Sequence, residues 1–314
     1  MCIRDRYNLP LLNDEGRKTI GIKYKQEGHD AAVEEGFKIV GPYMADLIAE
    51  AKQQFGNKHL IIYCWRGGLR SKTMGWLLSM AGFSVTIIKG GYKAYRHEIR
   101  DYLDQPFRFL IVGGKTGTGK TAILNALLEA GEPVIDLEAL AHHNGSSYGG
   151  LGHEKQPSIE QFENNLVETL LKFDLNKPIW IENESKKIGT IAIHPAFFNQ
   201  MESAPVFNIC IPFESRVKRI VNEYGRFGKE ELSEATMRIG KRLGPQHLKE
   251  ALGALEDGNL HHFIKKVLVY YDKTYTYGLS KRRTDSIKEC TYLHDKVDLI
   301  AKDLIELKKT NFHQ

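Results

Sequence analysis

Phe109-Leu110-Ile111-Val112-Gly113-Gly114-Lys115-Thr116-Gly117-Thr118-Gly119-Lys120-Thr121 decides the reading of this chain. Four apolar residues, a strand's length, run into residues 114–121, which have the spacing GxxxxGK[ST]. A helix-compatible run over residues 122–128 follows. Gly114, Gly117 and Gly119 let backbone N–H groups converge on an anion at the start of that helix, where the helix dipole also favours negative charge. Lys120 then reaches terminal phosphates, and Thr121 can hold Mg²⁺ if the chemistry uses one. The stretch predicts a strand–loop–helix unit built to bind a phosphate or diphosphate.

Working outward, apolar strands are expected over residues 134–137, 179–182 and 207–211, with helical patterns between them, as over residues 159–173. Trp180-Ile181-Glu182-Asn183-Glu184-Ser185 ends one of these strands. Glu182 or Glu184 therefore stands where an acidic side chain can assist a metal ion or a water. From Glu214 onward no comparable apolar strand is visible, and the chain reads as helices rich in Lys, Arg and Glu. The cysteine spacing supports no zinc site, and no resident metal is expected.

A second strand–loop–helix unit lies upstream. Residues 59–63 read as a strand, and a glycine-containing loop begins at Cys64. Residues 71–81 form a helical pattern with Met74, Leu77, Leu78 and Ala81 on one face and Gly82 as its stop. Another strand over 85–88 ends at Gly90-Gly91. This order predicts a βαβ crossover and a parallel sheet. The polar stretch 96–106 reads as a helix end and linker.

In Cys64-Trp65-Arg66-Gly67-Gly68-Leu69-Arg70-Ser71 the thiol sits where strand turns into helix. Loop N–H groups, the helix dipole, Arg66 and Arg70 would each stabilise a thiolate, which makes Cys64 a nucleophile and its loop an anion cradle. Cys210, between Ile209 and Ile211, reads as core. Rhodanese-type sulfurtransferases and Cys-X5-Arg phosphatases share such a geometry. The Cys64-to-Arg70 spacing fits the phosphatases, whereas Gly90-Gly91-Tyr92-Lys93-Ala94-Tyr95 resembles the rhodanese Gly-Gly-x-x-Ala-aromatic segment.

Composition narrows the class. At 314 residues, 42% hydrophobic and 26% charged, the chain is globular and long enough for about two domains. It lacks the roughly 18 consecutive apolar residues of a membrane span, so a soluble protein without a membrane partner is expected. Cysteines at 2, 64, 210 and 290 show no CxxC spacing, which fits reduced thiols in a cytoplasmic compartment. The net charge of +5 is unevenly spread. Residues 1–211 carry 24 basic and 24 acidic side chains, residues 212–314 carry 20 and 15. Clusters at Arg216/Lys218/Arg219, Arg238/Lys241/Arg242, Lys265/Lys266 and Lys281/Arg282/Arg283 predict a phosphate-rich partner.

The combination resembles the bacterial tRNA 2-selenouridine synthase family, also described as tRNA geranyl- and selenotransferases, in which a rhodanese-like domain precedes a P-loop domain. The matching segments are Asn8 to Glu15, Tyr24 to Ala32, the Cys64 loop, residues 114–121, Gly145-Ser146-Ser147-Tyr148-Gly149, Gln161-Phe162-Glu163-Asn164 and Trp180 to Ser185. Tyr270-Tyr271-Asp272-Lys273-Thr274-Tyr275 resembles the family's Tyr-Tyr-Asp-Pro-x-Tyr segment, with Lys273 in place of proline. Gly113-Gly114-Lys115 departs from the usual opening of the phosphate loop.

The resemblance implies an α/β chain with a rhodanese-like parallel-sheet domain over residues 7–104. A P-loop NTPase-like core follows over 105–211, with a helical, basic C-terminal part over 212–314. Residues 1–6 resemble a translated sequencing adapter, so the first domain is expected to lack its first strand. The implied reaction converts the wobble 2-thiouridine of tRNA to 2-selenouridine through an S-geranyl intermediate. Its substrates are geranyl diphosphate and selenophosphate, with a selenophosphate-supplying enzyme as a further partner. Cys64, Arg66 and Arg70 would be catalytic, and Gly114, Gly117, Gly119, Lys120 and Thr121 would bind the diphosphate. Lys281, Arg282, Arg283 and Tyr271 would contact tRNA. The alternatives are a sulfurtransferase fused to a P-loop ATPase or kinase, a Cys-X5-Arg phosphatase, and a non-enzymatic RNA-binding module.

Overall fold

A computed structural model describes residues 6–56 and 58–312. The chain divides into two compact units, Met1–Ile99 and Arg100–Gln314. The division falls inside one helix, and the expected boundary after residue 104 lies just past that helix's end. Apart from Arg6, the adapter-like segment lies outside the described residues.

The first unit opens with three helices, α1 (Asp14–Glu27), α2 (His29–Val40) and α3 (Met44–Phe55). Asn13 caps α1, its side chain accepting from the Gly16 amide at 2.8 Å. Next come β1 (Leu60–Ile62), α4 (Leu69–Met80), β2 (Val85–Ile87) and α5 (Gly91–Leu103). β1 and β2 pair in parallel, Ile61 opposite Thr86, with α4 as the crossover. The βαβ expectation therefore holds. Gly75 lets α4 lie close on β2, since a Cβ there would stand 2.7 Å from Ile87 Cδ1. Leu11, Leu12, Val40, Leu47, Ala51, Met74, Leu77 and Leu78 form this unit's core.

In the second unit, β3 (Phe109–Gly114), α6 (Lys120–Glu129), β4 (Val134–Ile135), α7 (Leu137–Ala141), α8 (Ile159–Leu170) and β5 (Ile179–Glu182) come first. A hairpin of β6 (Lys187–Ile188) and β7 (Ile191–Ala192) leads to α9 (Pro195–Ser203) and β8 (Val206–Cys210). Four helices follow, α10 (Phe213–Tyr224), α11 (Lys229–Leu243), α12 (Pro245–Glu256) and α13 (Leu260–Ser280), and the chain closes with β9 (Ile287–Thr291) and α14 (Val297–Phe312). The sheet is parallel throughout, in the order β4-β5-β3-β8-β9. β3 is its central strand, buried along its whole length, which is why it reads as a continuous apolar run. Leu110, Val112, Trp180, Phe207 and Ile209 pack against Ile123, Leu124 and Leu127 of α6 and Ile300 and Leu304 of α14.

β9 corrects the all-helical reading of the C-terminal part. It is an edge strand with only Cys290 buried, so Ile287-Lys288-Glu289-Cys290-Thr291 carries no apolar run to betray it. The helices α10–α13 have their own core, built on Val217, Ile220, Leu232, Ala235, Ile239, Phe263 and Val267. Among the described residues no helix is long and apolar enough to cross a membrane.

Candidate functional site

The phosphate loop joins β3 to α6 and closes on itself first: Thr118 donates to the Lys115 carbonyl through its N–H (3.1 Å) and its hydroxyl (2.8 Å). Gly117 and Gly119 hold φ of 84° and 85°, a region open to glycine at little cost. Two arginines of α10 brace the loop from outside. Arg216, only 4% exposed, donates from Nε to the Thr116 carbonyl at 2.9 Å and is neutralised by Asp272 on α13. Arg219 Nη1 donates to the Thr118 carbonyl at 2.8 Å. In a trans peptide the C=O and the following N–H point in opposite directions. Holding the carbonyls of 116 and 118 outward therefore turns the amides of Gly117 and Gly119 the other way, away from the two arginines. Lys120 Nζ rests on the Gly114 carbonyl at 3.2 Å, and the Gly114 amide donates to the Tyr275 hydroxyl at 2.6 Å.

Four carboxyl groups gather beside Lys120 and Thr121. Glu182, at the end of β5, is 2% exposed and accepts from the Glu138 amide through Oε1 at 2.8 Å, while its Oε2 has no partner. Glu138 Oε2 accepts from the Thr121 hydroxyl at 3.4 Å, and Glu138 and Glu184 hydrogen-bond to each other. Asp136 caps α7 by accepting from the Ala139 amide. Burial pushes all four upward, Glu182 well above the carboxylate range. Glu184 is held up to about 8 by burial and then by the Glu138 charge, with Lys120 pulling the other way. Among the described residues no three His, Cys, Asp or Glu side chains form a metal-holding group.

The Cys64 loop has a comparable logic. Tyr92 and Lys93, at the start of α5, donate their amides to the Cys64 and Trp65 carbonyls at 2.9 and 3.0 Å. Gly91 allows this approach, because a side chain there would run into the Cys64 carbonyl and the Gly67 amide. The loop's N–H groups are left to face the sulfur. Cys64 Sγ lies 3.3 Å from Ser71 Oγ, which also reaches the Gly68 carbonyl. Burial alone would raise the thiol. The Ser71 hydroxyl and the amides of Ser71, Arg66 and Gly68 outweigh it and bring Cys64 down to about 7. The Arg66 and Arg70 side chains are exposed, so Arg66 acts on the sulfur through its backbone. Trp65, 52% exposed, lies against the Tyr92 ring. Cys210 is different, because burial and then Glu289, to which its Sγ donates at 3.3 Å, push it up to about 11.

Two expected RNA contacts are engaged elsewhere. Arg282 donates to the carbonyls of Met201, Glu202 and Ala204 and to Asn183 Oδ1, closing the C-terminal end of α9. Tyr271 packs on Tyr148 and Tyr270, and its hydroxyl accepts from the Ser147 amide at 3.2 Å. Both side chains are thus tied to the protein's own main chain. Lys281, lying over the Tyr277 ring, and Arg283, paired with Asp285, remain at the surface. The sequence reading missed Arg216, Arg219, Asp272 and Tyr275 as parts of the phosphate loop, and it missed Asp136 and Glu138. For the last two a signal existed: Val134-Ile135-Asp136-Leu137-Glu138 ends a strand in acid, as Ile179–Glu182 does.

Fold and loop define a phosphate-loop α/β protein whose chain also carries a strand–loop–helix unit with an activated cysteine. The family model described as "tRNA 2-selenouridine synthase AAA domain" matches residues 107–294. The tRNA 2-selenouridine synthase of Hydrogenovibrio crunogenus is 34% identical over 312 residues, covering 88% of this chain and 85% of that protein. The enzyme of the same name from Shewanella piezotolerans is 36% identical over 311 residues, covering 88% and 84%. This chain belongs to the tRNA 2-selenouridine synthase family.

Proposed function

We propose that the chain converts a wobble 2-thiouridine of tRNA to 2-selenouridine in two transfers. In the first, the thiouridine sulfur bonds to C1 of geranyl diphosphate and diphosphate departs. In the second, the selenium of selenophosphate bonds to C2 as the C2–S bond breaks and geranylthiol leaves, and hydrolysis of the Se–P bond then releases phosphate. The observation that carries the reading is the pair of anion cradles on one chain, the loop opening α6 and the Cys64 loop opening α4, in a member of this family.

The first cradle suits a leaving diphosphate. Its task is electrostatic, since negative charge gathers on the departing oxygens, and amides fixed in advance together with Lys120 meet that charge without reorganisation. If Mg²⁺ accompanies the diphosphate, Thr121 and the Glu138 and Glu182 carboxyls would hold it, and Glu182 has an unpartnered buried oxygen to offer. The second cradle suits the selenophosphate anion, because Cys64 at about 7 is about half thiolate in neutral solution and the loop amides around it hold negative charge. Residues 7–104 are then the rhodanese-like domain, and the P-loop core of 105–211 is completed by β9 and α14 from the C-terminal part. The basic segment 212–314 meets tRNA through surface cations such as Lys281 and Arg283. A cytoplasmic site and a selenophosphate-supplying partner belong to the same reading.

Nucleoside mass spectrometry of tRNA incubated with the chain, geranyl diphosphate and selenophosphate tests it. Lys120→Ala is expected to slow geranylation about 10²-fold, on the order of 3 kcal/mol for one lost electrostatic stabiliser. Cys64→Ser is expected to let S-geranyl tRNA accumulate while selenation stops. Wild-type selenation by Cys64→Ser would reduce Cys64 to a cradle residue.

A further inference from the structure

We infer that Tyr275 is a positioning residue of the phosphate loop, admitted by Gly113 and acting through the Gly114 amide. The inference rests on the reading of that loop as a diphosphate site and deepens it.

The segment Tyr270–Tyr275 looks from sequence like a row of rings for stacking on bases. In the fold, three of its side chains turn inward instead. Tyr271 holds the Ser147 amide, Asp272 holds Arg216, and Tyr275 reaches the end of β3. The Tyr275 hydroxyl is committed on both sides, accepting from Gly114 N–H at 2.6 Å and donating to Asn208 Oδ1 at 2.7 Å. Asn208 cannot turn away, because its Nδ2 donates to both carboxylate oxygens of Glu289, at 2.9 and 2.8 Å. Burial pushes the Tyr275 phenol up to about 12, so the proton stays on it.

Gly113 makes the approach possible. A Cβ at that position would stand 2.9 Å from the Tyr275 oxygen and 2.7 Å from Val206 Cγ1. This accounts for the unusual Gly113-Gly114-Lys115 opening, in which the first glycine makes room for a ring from α13 and the second begins the loop. Gly114 is the pivot, with φ of 145°, its N–H on Tyr275 and its carbonyl under Lys120 Nζ. The Tyr275 bond holds the 113–114 peptide plane, so Tyr275 sets where the loop starts; the carbonyl under Lys120 belongs to the next peptide, which hangs from that plane at the Gly114 Cα. Arg216 and Arg219 fix the carbonyls further along, and the loop reaches its ligand with little conformational freedom left to lose.

Titration calorimetry with inorganic pyrophosphate separates the layers of the claim. Wild type should bind and Lys120→Ala should bind far more weakly; a wild type that binds none overturns the reading of the loop and the inference with it. With wild-type binding in hand, Tyr275→Phe keeps the ring and removes only the hydroxyl. It is expected to weaken pyrophosphate about tenfold, the effect of orphaning one buried amide. KM for geranyl diphosphate should rise by a similar factor with kcat less affected, and tRNA affinity and the Cys64 titration should stay put. Should Tyr275→Phe fail to fold, Gly113→Ala carries the same test from the other side of the contact. Pyrophosphate affinity within twofold of wild type in whichever folded variant is measured overturns the inference.

Discussion

Arg219 occupies the space that any side chain on Gly119 would need: a Cβ built on Gly119 collides with Nη1, the atom that holds the Thr118 carbonyl. Glycine content and arginine clamp are one device. Gly119→Ala must both adopt a φ of 85° and displace Arg219, whereas Gly131, at φ 84°, has nothing near its missing Cβ. Gly131→Ala therefore pays the left-handed backbone term of about 1 kcal/mol and no more. Pyrophosphate affinity should fall at least tenfold in Gly119→Ala, fall less in Arg219→Ala, and be unchanged in Gly131→Ala. Equal affinities in Gly119→Ala and Gly131→Ala would show that the clamp does nothing for the ligand.

The Cys64 thiol should titrate near neutrality. With Cys64 at about 7, its alkylation by iodoacetamide should rise through pH 7 and level off above pH 8, while Cys210 stays unreactive there. Ser71→Ala removes the strongest of the groups that hold the thiolate and should move the midpoint upward. Arg66→Gln keeps the Arg66 amide, and Arg70→Gln changes a side chain already in solvent. Both should leave the midpoint close to wild type. A large upward shift in either would return the arginine side chains to the thiolate.

Glu184 links stability to pH in a definite direction. Its folded pKa of about 8 lies above the ordinary value of 4.5, so the folded protein binds the proton more tightly than the unfolded chain does. The stability this contributes is fully present below about pH 4.5 and is lost as pH rises through 8. Glu184→Gln, which keeps a neutral hydrogen-bonding side chain, should flatten this dependence and stabilise the fold most at pH 8. Urea midpoints at pH 5, 6.5 and 8 decide it, and parallel curves for the two proteins would sink the idea.

The Lys281/Arg282/Arg283 run should divide by function. Reversing Lys281 and Arg283 together is expected to weaken tRNA binding and reduce its dependence on salt, with no loss of stability. Arg282→Ala takes the guanidinium from the carbonyls of Met201, Glu202 and Ala204, at a cost of about 2 kcal/mol, and leaves the salt slope unchanged. Filter binding across a salt series and thermal unfolding of both variants give the comparison. Arg282→Ala altering only the salt slope would put it back at the RNA surface.

Local pattern carried much of the architecture. Ile179–Glu182 is the strand its apolar run announces, and Leu60–Ile62, Leu69–Met80 and Val85–Ile87 fall where strand, helix and strand were expected. Ile287–Thr291 escaped because one covered face at a sheet edge leaves too few apolar positions to read. Within the site, the residues that lie on a motif were legible, and those that reach it from elsewhere were not.

By itself the sequence determined that residues 114–121 form a glycine loop between a strand and a helix and that Cys64 stands in the loop before another helix, because both depend on a few neighbouring residues: glycines for the turn, a helix start for its amides. Only the tertiary structure decided what Arg216, Arg219, Asp272, Tyr275 and Arg282 do. Arg216 and the Thr116 carbonyl it holds are 100 positions apart, and Tyr275 and Gly114 are 161 apart. A charged or aromatic side chain has the same local signature whether it faces solvent or the protein's own polar groups; packing α10 and α13 against the phosphate loop assigns Arg216, Arg219, Asp272 and Tyr275, and packing against the end of α9 assigns Arg282.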